Sequence, residues 1–122
     1  MTDKSLTEKN AHGAKLTEAV IEALGNIKAT DIQVLDVRAQ TQLMDTLIVA
    51  SGTSTRHIAA VVNSVAEDLK EQGFIANHQE GETGSDWVLL DFTDLVLHVM
   101  LPEARVLYDL ERLWSGLTPT SE

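Results

Sequence analysis

The sequence predicts a single-domain α/β fold, a mixed β-sheet with flanking helices. Three observations carry that prediction. The chain has 122 residues, the length of one compact domain. Its patterned stretches alternate between apolar residues at helical spacing and short runs rich in β-branched residues. Two strand-like runs sit on either side of the polar pair Thr93-Asp94, as in an antiparallel hairpin.

The elements follow in order. Residues 1–13 carry no apolar periodicity and are expected to be a flexible tail, with the domain over 14–116 and a second tail over 117–122. In residues 14–24, Leu16, Val20, Ala23 and Leu24 fall at helical spacing with Ile27, and Gly25-Asn26 supplies a left-handed stop. Residues 31–37 (DIQVLDV) read as a strand. Residues 45–51 (DTLIVAS) form a near-continuous apolar run, typical of a strand covered on both faces. Gly52-Thr53-Ser54 then turns into the clearest helix, capped by Thr53 or Ser54, with Ile58, Val61, Val62, Val65 and Leu69 as its apolar stripe and Gly73 as its end. Residues 74–76 are a possible short edge strand. Strands follow at 86–92 and 95–101, and Pro102 and Glu103 open a last helix. Val106, Leu107, Leu110, Leu113 and Trp114 are expected on its buried side, with Gly116 ending it.

Both faces of the hairpin are apolar. Trp87 and Leu89 point one way and Val88, Leu90 and Phe92 the other; Val96, His98 and Met100 oppose Leu95, Leu97, Val99 and Leu101. Three helices, one of them short, barely cover one face of such a sheet. The face carrying Trp87 and Leu89 is therefore a candidate interface. The alternative is that the first and last helices lie on opposite faces and bury everything.

Composition narrows the function classes. Nineteen acidic against 9 basic side chains give a net charge of −10, which repels bare nucleic acid and anionic membranes and favours either a basic partner surface or simple solubility. There is no cysteine, which removes disulfides and thiolate metal sites and fits a reducing compartment. No run approaches the roughly 20 apolar residues of a membrane span, and MTDKSLTEKN lacks a signal-peptide core. A cytoplasmic location is expected.

Catalytic patterns are sparse. The Gly52-Thr53-Ser54 turn resembles the opening of a nucleotidyltransferase site, which needs two carboxylates one residue apart on a nearby strand. Here Asp91 and Asp94 straddle a turn instead, and an ordinary helix cap is the competing reading. Of His12, His57, His78 and His98, no two form a metal-binding helical pair, so no metal or cofactor is expected. His98, inside an apolar strand, is either a satisfied structural residue or a polar contact within an interface. Ser51, Ser54 and Ser85 lack a nucleophile-elbow context. In the last helix, Arg105, Asp109 and Arg112 are spaced for surface ion pairs, while Arg105, Tyr108 and Glu111 could form a polar rim beside the sheet.

Taken together, SGTSTRH at 51–57, Glu80-Gly81, DWVLLDFTDLVLHVMLPEAR at 86–105 and YDLERLW at 108–114 resemble the ribosomal silencing factor family, also called RsfS or Iojap, over residues 14–114. The resemblance implies a nucleotidyltransferase-like fold without a working catalytic site. It further implies binding to ribosomal protein number fourteen of the large ribosomal subunit, a steric block on joining of the small subunit, repression of translation under nutrient limitation, and homodimers when free. Carried over residue by residue, the expected partner-binding positions are Trp87, Leu89, Asp91, His98, Arg105, Tyr108 and Glu111.

Overall fold

A computed structural model describes residues 3–82, 84–109 and 112, with residues 3–11 described by their backbone alone. The elements are α1 (Asp3–Asn26), β1 (Thr30–Asp36), β2 (Thr46–Ser51), α2 (Thr55–Glu71), β3 (His78–Glu80), β4 (Trp87–Asp91), β5 (Leu95–Met100) and α3 (Pro102–Tyr108). This is the predicted order, and the strands form one mixed sheet, β1-β2-β5-β4-β3. β2 and β5 run parallel at its centre, and the other three pairings are antiparallel. The central parallel pair is buried on both faces, which explains why β2 reads as an unbroken apolar run.

The larger core lies on one face. α1 contributes Leu16, Ala19, Val20, Ala23 and Leu24, and α2 contributes the predicted stripe Ile58, Val61, Val62, Val65 and Leu69. Both pack on Ile48, Ala50, Val88, Leu90, Leu95, Leu97 and Val99 of the sheet. Ser54 caps α2, its hydroxyl accepting the His57 N–H at 3.0 Å. His57 ties this turn to the end of α1: its Nδ1 accepts the Thr53 N–H at 2.9 Å, and its Nε2 lies 2.8 Å from the Ile27 carbonyl. Gly52 packs so closely that an added Cβ would stand 2.8 Å from Cγ1 of Ile58.

Several boundaries differ from the sequence reading. Where a flexible tail is expected over 1–13, residues 3–13 continue α1, and the His12 ring lies 5.3 Å from that of Phe74. Glu8, Lys9, Ala11 and Ala14 are good helix formers, and a helix nucleated by its packed C-terminal half extends through them at little cost. The left-handed stop is Lys28 at φ 64°, not Gly25-Asn26. Lys28 and Ala29 donate to the Gly25 and Leu24 carbonyls at 3.1 and 3.0 Å, a paired closure that places the left-handed residue later than the glycine. Residues 74–76 are not a strand. The Phe74 N–H turns back to the Leu69 carbonyl at 2.8 Å, and pairing with β4 starts only when Asn77 donates to the Asp91 carbonyl. In α3 the expected inner residues Val106 and Leu107 are 82% and 75% exposed, because Ala104 and Arg105 take the sheet side. Leu110, Leu113, Trp114 and Gly116 lie outside the described residues.

Candidate functional site

The second sheet face is built differently. Its core is small: Val37, Leu47, Val49, Met100 and Ala104, with Leu35, Met44, Trp87 and Val96 packed against it while half-buried. Among the described elements the helix on this side is α3, and it is seven residues long. The alternation in β4 resolves as predicted: Val88 and Leu90 are sealed, whereas Trp87, Leu89 and Asp91 remain partly open.

Trp87 joins the sheet to α3. Its ring centroid is 4.5 Å from that of Tyr108, at a tilt of 46°, a favourable offset aromatic contact. Its indole N–H donates to Nδ1 of His98 at 2.8 Å. In the β4–β5 register, Leu89 stands directly opposite His98, and Asp91 opposite Val96. Trp87, Leu89 and Val96 thus make a half-buried apolar strip with His98 beneath it. Burial drives the His98 pKa from 6.5 down to about 4, since desolvation penalises the imidazolium. Accepting the Trp87 N–H requires the same neutral ring.

Arg105 holds α3 in place. It is buried, and its guanidinium donates to the Ser51 hydroxyl at 2.9 Å and to the carbonyl of Asp31. Asp31 falls where the β1–β2 register slips and has a φ of 50°, which leaves its carbonyl out of the ladder and available to the arginine. A buried cation with these partners is costly to disturb, because removing one leaves the others desolvated.

Acidic groups edge the strip. On β3, His78 and Glu80 pair with each other at 2.8 Å and stand opposite Asp91 and Leu89 respectively. Asp91 is engaged locally, accepting the Thr93 N–H at 2.7 Å and so stabilising the hairpin turn, where Thr93 has a φ of 78°. Gly81, at φ 104°, lets the chain pass against β4: a Cβ there would lie 2.8 Å from the Trp87 carbonyl. Among the described residues, no three His, Asp or Glu side chains cluster as metal ligands, and no helix is long and apolar enough to cross a membrane.

Residues 9–122 match the family described as "Ribosomal silencing factor during starvation". This chain belongs to that family. A protein of Chromobacterium violaceum named Ribosomal silencing factor RsfS is 44% identical over 106 residues, covering 87% of each chain. A mouse protein named Mitochondrial assembly of ribosomal large subunit protein 1 is 36% identical over 107 residues, covering 84% of this chain and 47% of its own. An X-ray crystal structure of a Chromobacterium violaceum protein superposes with a TM-score of 0.81 at 45% identity, covering 88% of this chain and 89% of that one. The mixed α/β fold is thus shared with that solved protein.

Of the positions carried over from the silencing factor family, the structure gathers Trp87, Leu89, His98 and Tyr108 around one strip. Asp91 lies at its far end. Arg105 sits behind it as a clamp, and Glu111 is outside the described residues. The alternative trio Ser54, Asp91 and Asp94 does not assemble. Ser54 follows the end of β2 aligned with Met100, whereas Asp91 and Asp94 flank the start of β5, five residues and roughly 16 Å along the sheet. Sequence reasoning missed the Trp87–His98 bond and the Ser51 and Asp31 partners of Arg105. A buried histidine and a serine ending an apolar strand were the available signals that polar partners existed.

Proposed function

We propose that this protein is a ribosomal silencing factor that binds the large ribosomal subunit through ribosomal protein number fourteen. The open strip of Trp87, Leu89 and Val96, rimmed by Glu80 and Asp91, carries the reading. It has the anatomy of a modest interface, an aromatic anchor in an apolar patch with a polar edge. A net charge of −10 steers such a face toward a basic ribosomal protein, and away from bare nucleic acid or membrane. Family membership and a mouse relative named for assembly of the ribosomal large subunit support the large subunit as the target. A domain over residues 14–116 seated there blocks joining of the small subunit and represses translation under nutrient limitation. It acts by occupancy, not catalysis, in the cytoplasm and without a cofactor.

A second reading is kept beside it. Val106, Leu107 and Tyr108 are all exposed on α3 next to the strip, and they favour homodimers of the free protein through this side. Dimer and subunit then compete for one surface.

The test is co-sedimentation with isolated large and small subunits. The wild-type protein is expected to pellet with the large subunit alone, and Trp87→Ala to lose at least ~2 kcal/mol, roughly thirtyfold, as an interface anchor does. Pelleting with neither subunit would remove the ribosomal reading; undiminished binding by a folded Trp87→Ala would remove this face.

A further inference from the structure

The bond between Trp87 and His98 decides more than the place of the indole. A ring nitrogen accepts a hydrogen bond only where it carries no proton, so the Trp87 donation fixes His98 Nδ1 as bare. A neutral imidazole has one N–H, which must then sit on Nε2. Trp87 is the one hydrogen-bond partner of the His98 ring among the described residues. No described side-chain nitrogen or oxygen is both sealed from solvent and unpartnered. Nε2 therefore lies within the 7% of His98 that stays accessible. His98 is flanked in register by Leu89 on β4 and Val49 on β2, so that donor opens among apolar side chains.

We infer that His98 is a positioning and specificity residue of this face: it fixes the Trp87 ring and presents its own Nε2–H to an acceptor oxygen on the protein partner. The inference rests on the proposed docking face and adds the chemistry that the partner must supply. Trp87 has spent its polar group internally and offers the partner its ring alone. The Nε2–H, once covered, must meet a carbonyl or carboxylate oxygen or lose its hydration without return. An apolar or cationic group placed opposite is penalised, so this donor sets the register of docking as well as adding affinity. The low His98 pKa keeps the ring in the donor-acceptor form at neutral pH.

The experiment uses the full chain in two arms. Long-range proton–nitrogen NMR at neutral pH reads the tautomer: Nε2–H is expected, with slow exchange of the Trp87 indole proton. Affinity for isolated large subunits is then compared for wild type, His98→Leu and His98→Gln, each with its sheet amide spectrum intact. Leucine fills the space and supplies neither function; glutamine offers an oxygen to Trp87 and an N–H to the partner. Leucine is expected to weaken binding about tenfold, and glutamine to recover most of that loss. An Nδ1–H tautomer would overturn the positioning role. Leucine binding like wild type, or glutamine as weak as leucine, would overturn the presented donor. Failure of wild type to bind the large subunit strikes the proposed function and the partner's acceptor with it, while the tautomer still decides whether His98 holds Trp87.

Discussion

The two faces of the sheet are made from the same strands and finished in opposite ways. One is closed by α1 and α2, helices of 24 and 17 residues, over a continuous aliphatic core. The other has α3 of seven residues at one end, held by a buried arginine and an aromatic contact. The closed face draws its stability from area removed from water, a term indifferent to fine geometry. On the open face less area is buried and specific bonds take over: Trp87 to His98, Arg105 to Ser51 and Asp31. A face left partly uncovered is available for a partner, and directional bonds keep it in one shape without covering it.

That contrast can be broken by substitution. The largest effect is expected in the closed core. Leu97→Ala, fully buried against both long helices, should cost about 2–5 kcal/mol in urea unfolding, whereas Leu89→Ala, its counterpart on the half-open strip, should cost under about 1 kcal/mol. Equal losses would mean that the second face is as closed as the first.

Next comes pH. His98 titrates at about 4 in the fold and near 6.5 when unfolded, so the unfolded chain binds the extra proton between those values. Its contribution is intact above the unfolded value and is lost as pH falls through the folded one, up to about 3 kcal/mol. Carboxylates titrate in the same range, so the readout is the difference between wild type and His98→Gln; a constant difference across the window would refute the buried neutral ring.

The smallest effect belongs to the closed side. Ser54→Ala removes the α2 cap and should cost about 1 kcal/mol with no change in subunit binding. A binding defect in that variant would extend the functional surface to the α2 end of the molecule.

Much of this comparison was readable beforehand, and unevenly so. The α2 stripe, its Ser54 cap and the alternation of β4 each follow from a period of 3.6 or 2 applied to local residues, and each matches the structure. The inner side of α3 did not follow. Val106 and Leu107 are the apolar choice by composition, yet Arg105 lies inward because Ser51 and Asp31, distant in sequence, supply its hydrogen bonds. The stop of α1 moved from glycine to Lys28 for a related reason: the paired closure at Leu24 and Gly25 determines where the left-handed residue falls.

The sequence by itself determined the order of elements, the two apolar faces of the hairpin and the family to which the chain belongs, because these depend on local spacing and on motifs. The sequence named the Trp87 face as the candidate, and the tertiary structure decided between an open and a buried face and how that face is held. That depends on the parallel pairing of β2 with β5, on helix lengths set against sheet width, and on bonds such as Trp87 to His98 that join residues no local pattern connects.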